Sequence, residues 1–283
     1  MQGNSDGLAR DILDRGPPDI VWVSGHHAPP NMAQVFDLCR SSLKIVYSKN
    51  WTPWEVEQLE RYDLCLVDEE RQIGRVRQAA PNVPAAVWDK LIDYEGAHYP
   101  IECEKTYDLC YVAYLRPRKE HELLFEAMAK LKDRQLTCVC VGGDREGRMA
   151  QLERLAADLG CSVEFTGNVS AETVNTLMNR SRIGVMCAER DSAPRVILEY
   201  MAANVPVLVT SKLLAGTRYV GPQAGLVRAP EEFHLGIAKI LDNRDSYTPR
   251  AFFLEHYSRD KVVAKFLAIL EEAGFSLPVP ASR

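Results

Sequence analysis

Short apolar runs alternate with amphipathic stretches from one end of this chain to the other, and that alternation restricts the fold more than any single motif. "DIVWVSG" (19–25), "KIVYSKN" (44–50), "DLCLVDE" (63–69) and "AAVWDKLID" (85–93) read as strands. The pattern pauses at the polar "HYPIECEKT" (98–106), then resumes with "YDLCYVAYL", "LTCVCVGG", "SVEFTG", "IGVMCA" and "VPVLVTS". One intervening helix opens Thr52-Pro53-Trp54-Glu55, a capping box with proline at the first helical position. Another, "KEHELLFEAMAKL", gathers Leu123, Leu124, Ala127, Met128 and Leu131 into one apolar stripe. Such alternation means parallel sheets with helices on both faces. The expected class is α/β, with two Rossmann-like domains facing a cleft. Residues 1–102 form a reduced first domain, 103–250 a larger second one, and 251–283 carry closing helices.

Composition narrows the class of function. The 283 residues suffice for two domains, and 46% hydrophobic against 26% charged is a globular balance. A net charge of -5 offers no broad basic surface, so no nucleic-acid partner is expected. The start, "MQGNSDGLARDILDRG", has no apolar signal core, and no apolar run reaches about 18 residues. The expected location is the cytoplasm, or the periphery of a membrane. The eight cysteines sit mostly in strand-like runs, as buried free thiols do in a reducing compartment. No CxxC pair or Cys/His ligand spacing appears, and the neighbours His26 and His27 point apart, so no metal site is expected.

In parallel α/β sheets ligands gather at the carboxyl ends of the strands. Four stretches lie there. In "LRPRKEHELL" the cations Arg116, Arg118 and Lys119 crowd a helix entry, where the backbone dipole already favours an anion such as a diphosphate. In "VGGDREGR", Gly142 and Gly143 let backbone approach a ligand, or make an ordinary tight turn. Gly167, Asn168 and Val169 end a strand before Ser170 caps a helix, and a flat base could lie against that backbone. In "ERDSAPRVILEYMAANVPVL" a loop carries Asp191, and Pro194 sits near the first helical position. The amides of Ser192 and Ala193 would face a phosphate there. Glu199 stands roughly 7–8 Å up the helix, placed to accept two hydroxyl hydrogen bonds from a ribose.

These motifs together resemble the retaining, nucleotide-sugar-dependent glycosyltransferases of family four, which have the GT-B fold. The resemblance covers about residues 80–270, and more loosely 18–80. That family shows an acid, seven residues, then Glu leading into a helix and a "PV" strand; Asp191 and Glu199 have this spacing, followed by "YMAANVPVL". The resemblance implies that Lys119 and a nearby arginine hold the donor diphosphate, Glu199 the ribose, and Asp191 with the amides of 192–194 the transferred sugar. It also implies a histidine after a "DIV" strand, supplied here by His26 or His27, of which His27 is preferred. Lys119, Asp191 and His27 would be the catalytic set. The chain departs from the family where Tyr114 and Ala113 replace its arginine and glycine, where Asp191 replaces a glutamate, and where Ser192-Ala193-Pro194 replace loop glycines. The short first domain also lacks the family's glycine-rich loop.

The implied activity moves a sugar from a nucleoside diphosphate donor to an acceptor hydroxyl with retention, without metal or further cofactor. The acceptor would be a glycan, a lipid or a small molecule met from the first domain. A rival reading is a nucleotide-sugar-binding subunit that needs a partner chain for catalysis; Trp51 and Trp54 are candidates for contact with a partner or an acceptor, or equally for the core. A weaker one is a nucleotide-sugar epimerase.

Overall fold

Strands whose every residue is apolar belong in the middle of a parallel sheet covered on both faces. "LCLV" (64–67) is of this kind, "VLVT" (207–210) is so but for Thr210, and each is fully buried. The computed structural model describes residues 5–24, 32–48 and 59–275. They fall into two compact units, one within Met1–Asp89 and Val263–Arg283, the other Lys90–Val262. His26, His27, Trp51, Trp54 and the capping box at Thr52 lie outside the described residues. No helix among the described residues is long and apolar enough to cross a membrane.

The first unit holds α1 (Ser5–Arg15), β1 (Ile20–Ser24), α2 (Met32–Leu38), β2 (Leu43–Ser48), β3 (Leu64–Val67), α3 (Glu70–Ala79) and β4 (Ala85–Val87). The strands lie in the order β1-β2-β3-β4, all parallel. A run of right-handed crossovers that always steps the same way puts every connecting helix on one face. Accordingly Val35 and Phe36 of α2, and Ile73 and Val76 of α3, cluster with Val21, Val46, Cys65 and Val67. The alternate residues point the other way, where Trp22 and Trp88 meet Phe266 at ring separations of 5.9 and 5.2 Å. Phe266 comes from the far end of the chain, on a helix whose Lys265 also binds buried Asp89 at 2.7 Å.

The second unit comprises β5 (Tyr107–Val112), α4 (His121–Ala129), β6 (Thr137–Val141), α5 (Met149–Asp158), β7 (Ser162–Gly167), α6 (Ala171–Asn179), β8 (Ser181–Met186), α7 (Arg195–Ala202), β9 (Val207–Thr210), β10 (Gly225–Arg228), α8 (Phe233–Asp242) and α9 (Pro249–Tyr257). The final helix, α10 (Arg259–Glu272), begins in this unit, and its residues from Val263 onward belong to the first. The sheet is parallel, in the order β10-β9-β8-β5-β6-β7. The direction of the chain's progress therefore reverses between β5 and β8. Both units are α/β and Rossmann-like, as the sequence predicts.

The sequence reading cuts the chain at 102/103 and 250/251, whereas the units divide at 89/90 and 262/263. The physical reason for the first difference is a staple. Two buried asparagines of α6 grip the segment that precedes β5. Asn175 Oδ1 accepts from the Tyr99 amide at 3.3 Å and Asn179 Oδ1 from the Ile101 amide at 2.7 Å, while both side-chain amides donate to the Tyr99 carbonyl. Three strands also end sooner than their apolar runs. "AAVWDKLID" pairs only over Ala85–Val87, "YDLCYVAYL" stops at Val112, and "IGVMCA" stops at Met186.

A tyrosine bridges the reversal point. Tyr200 of α7 is fully buried; its hydroxyl donates to the Cys110 carbonyl at 2.8 Å and accepts from the Val112 amide at 2.9 Å. The phenol thus satisfies β5 where its pairing with β8 ends. The ring fits because β8 has glycine opposite, and a Cβ on Gly184 would stand 2.3 Å from it. Gly184→Ala is expected to cost about 1–3 kcal/mol through overpacking. Urea denaturation should show it as a lower midpoint at unchanged slope. An unchanged midpoint would mean that the ring has room to move.

Candidate functional site

Reversal of strand order opens a crevice at the carboxyl edge of a doubly wound sheet, because the loops on either side diverge. A cavity of about 380 Å³ occupies that place in the second unit. Its walls come from the loops after β5, β6, β7 and β8 and from the first turns of α7. Of the residues expected from sequence, Lys119, Gly142, Gly167, Asn168, Val169, Asp191, Pro194 and Glu199 line it. The cavity size is that of an ordinary small-molecule site.

Lys119 enters from a 3₁₀ turn, Pro117–Lys119, that precedes α4. The Tyr111 hydroxyl fixes this turn from below, donating to the Lys119 carbonyl at 2.5 Å. Its ammonium is hydrogen-bonded and ion-paired to Asp191, across from the loop after β8. Both side chains are largely covered, 12% and 18% exposed, so water screens this pair less than a surface one. The other two expected cations do not reach the lining. Arg116 turns to Glu146 at 3.3 Å, and Arg118 is exposed. Where Arg116 and Arg118 were expected, the rim carries Tyr114, with Arg145 over its ring at 4.0 Å and donating to its hydroxyl at 2.8 Å.

The β6 and β7 loops contribute backbone. Gly142 has φ +149°, and a Cβ there would lie 2.2 Å from the Ala113 carbonyl oxygen, so only glycine fits this floor. Gly143 packs behind it, against the side chain of Asn168. Ser170 caps α6, accepting from the Thr173 amide at 3.1 Å as expected.

The loop 189–194 is held from several directions. Its Ser192 carbonyl accepts from Lys90, and its Glu189 carbonyl accepts from the Leu214 amide at 2.9 Å. The Ser192 amide, expected to be available for a phosphate, instead donates to Asp191 Oδ1 at 2.8 Å. An aspartate one residue back reaches its neighbour's amide more readily than solvent does, which is the usual local competition. Ala193 is fully buried and does not line the cavity. Its φ of +41° is left-handed, an unusual strain for alanine at the position where the family resembled carries glycine.

Glu199 sits on the second turn of α7, 17% exposed, and burial pushes its carboxyl above the ordinary carboxylate value. His98 and then Arg195 draw it partly back. His98, from the stapled segment before β5, brings Nε2 to 3.8 Å from Glu199 Oε1. Sequence reasoning missed His98, Tyr114 and Lys90. A lone histidine among "EGAHYP" gives no periodic or motif signal.

Three comparisons bear on this arrangement. The family profile described as Glycosyl transferases group 1 matches residues 101–251, more than half of the chain. GDP-Man:Man(3)GlcNAc(2)-PP-Dol alpha-1,2-mannosyltransferase of Xenopus laevis is 29% identical over 147 residues, 48% of this chain and 28% of the relative. The chain thus spans little more than a quarter of that relative's length. Among solved structures, the pneumococcal O-GlcNAc transferase GtfA in complex with UDP and GlcNAc superposes with a TM-score of 0.72 at 12% identity, covering 98% of this chain and 61% of that one. Anabaena HepE in complex with UDP gives 0.73, also at 12%, covering 94% and 81%. At such identity the likeness shows the fold alone.

Proposed function

The chain belongs to the Glycosyl transferases group 1 family, and from that premise we propose that it transfers a sugar from a nucleoside diphosphate donor to an acceptor hydroxyl, with retention of anomeric configuration. The observation that carries this reading is the convergence of Lys119, Asp191 and Glu199 on one cavity at the strand-order reversal. A cation for a diphosphate and two carboxylates for hydroxyl groups are the chemistry that a sugar nucleotide needs. The UDP bound by two neighbours of the same fold, and the GDP-mannose in the name of one relative, are consistent with that ligand class while naming different bases.

In the proposed reaction the bond between the sugar's anomeric carbon and the diphosphate oxygen breaks. The acceptor oxygen bonds to that carbon on the same face, and its proton passes to the departing diphosphate. Lys119 stabilises the charge that develops on the leaving group, so the chemistry is proposed to run without a metal. Glu199 holds the ribose and Asp191 the transferred sugar; His27, which lies outside the described residues, is proposed as catalytic on the family resemblance alone. The acceptor is a glycan, a lipid or a small hydroxyl compound. The proposed setting is the cytoplasm or a membrane surface.

Calorimetric titration of the chain with UDP, GDP and their sugar conjugates tests this reading. Glu199→Gln is expected to weaken the bare nucleoside diphosphate roughly 10-fold, the value of a charged acceptor in a covered site. Asp191→Asn should act mainly on the sugar-bearing donor. Should both substitutions lower only the melting temperature, the two acids are structural. Transfer that persists in a chelator would support the metal-free route.

A further inference from the structure

Glu199 lines the cavity with its carboxylate poorly solvated, and a carboxylate in that setting tends to drift toward its neutral acid. A neutral acid offers a worse acceptor to a ligand hydroxyl. A neighbour that draws its carboxyl back toward the ordinary value and fixes its direction would therefore favour the ligand. Its charged or titratable surroundings are few. Arg195 lies one turn earlier on the same helix, and His98 comes from the separate segment before β5. Lys119 and Asp191 line the same cavity from the loops after β5 and β8, and they are paired with each other.

His98 is not at Glu199 by accident of a surface loop. Its side chain is 13% exposed, and its Nδ1 is buried without a hydrogen-bond partner. Its own amide donates to the Asp93 carbonyl at 3.0 Å. The next residues are held by Asn175 and Asn179, which are 1% and 2% exposed and together bind both faces of the backbone at 99–101. Buried side-chain networks of this kind rigidify what they hold. The imidazole is thus delivered to Glu199 by a fixed strap, with Nε2 facing Oε1 and the other carboxylate oxygen not engaged by the histidine.

We infer that His98 is a positioning residue for Glu199: the α6 staple presents its imidazole to one carboxylate oxygen, which orients the group that receives the ligand's hydroxyls. This inference rests on the reading of Glu199 as a ligand-binding residue. The sign of its pH dependence follows. Affinity requires the ionised carboxylate, so it is present at neutral pH and lost as pH falls through the raised value of Glu199. Removing the imidazole removes the neighbour that draws the Glu199 carboxyl back toward its ordinary value, so the loss should begin at a higher pH.

The experiment compares wild type, His98→Leu, His98→Gln and Glu199→Gln by calorimetric titration with UDP and with GDP from pH 5 to 8. Using one ligand across all variants cancels the titration of the phosphate itself. His98→Leu should weaken binding at pH 7.5 roughly 3- to 10-fold, and its acid fall-off should move up by roughly half to one pH unit. His98→Gln keeps a donor without a charge; it should restore most of the affinity at pH 7.5 and still show the shifted fall-off. A purely structural histidine would lower the melting temperature and leave the fall-off in place, which overturns the inference. If Glu199→Gln weakens binding while both His98 variants match wild type, the inference alone fails. If Glu199→Gln binds like wild type, or wild type binds neither nucleotide, the reading of Glu199 fails and takes this inference with it.

Discussion

Lys119→Ala is expected to lower donor affinity or turnover by roughly 10- to 1000-fold, the range for losing one electrostatic stabiliser of a developing charge. Two effects combine. The substitution removes the one expected diphosphate-binding cation that lines the cavity, since Arg116 and Arg118 do not and Arg195 lines it from α7. It also leaves Asp191 in the same cavity without its partner, and an unpaired carboxylate there repels a diphosphate. The loss should therefore fall on the phosphates. UDP or GDP should bind much more weakly to the variant, while the corresponding nucleoside, which has no phosphate, should bind as it does to wild type. Lys119→Arg keeps the charge but not the compact shape, and should recover only part of the loss. Equal affinities for the diphosphate in wild type and Lys119→Ala would remove the lysine from the site.

Acid should destabilise the fold through His121, and His121→Leu should relieve it. This histidine opens α4 directly after the 3₁₀ turn of Lys119; it is fully buried, with the Tyr111 ring 4.7 Å away and neither ring nitrogen hydrogen-bonded. Burial pushes its imidazole down to about 3 from an ordinary 6.5, with Arg148 and Lys119 adding to it. The unfolded chain takes up this proton below about pH 6.5, whereas the folded chain refuses it until about pH 3. Stability is thus present in full above 6.5 and falls as pH drops through that window. A gap of this size is worth on the order of 4–5 kcal/mol at about 1.4 kcal/mol per pH unit. Urea midpoints measured between pH 7.5 and 4 should fall less steeply for His121→Leu than for wild type. Parallel slopes would show that the histidine takes its proton without unfolding.

How much of this was legible beforehand follows from what each residue's neighbours are. Buried parallel strands announce themselves as apolar runs, which is why nine of the ten strands among the described residues are legible and β10 is not, with four residues and three of them half-covered. α1 also escaped: its short stripe of Ala9 and Ile12 is thin beside its charges. Lys119, Asp191 and Glu199 could be singled out because ligands meet strand ends, and charges there have few structural reasons to exist. What the loops do with one another could not be read. The turn of Arg116 toward Glu146 and the capture of the Ser192 amide by Asp191 depend on side-chain directions that no spacing encodes. The position of the unit boundary was hidden for the same reason, since Asn175 and Asn179 act on a segment more than seventy residues earlier.

The all-one-way order of the first sheet has a consequence for synthesis. Its crossovers leave the face of Trp22, Tyr47 and Trp88 to α10, which is made only after the rest of the second unit. A ribosome adding about 5–20 residues per second needs roughly 10–40 s to pass from the end of β4 to α10. For that interval the nascent chain carries an unsheltered aromatic sheet while the whole second unit is being made and folded. The first unit is therefore completed only after the second has been made, and a chaperone that binds aromatic surface has its opening on this protein in between.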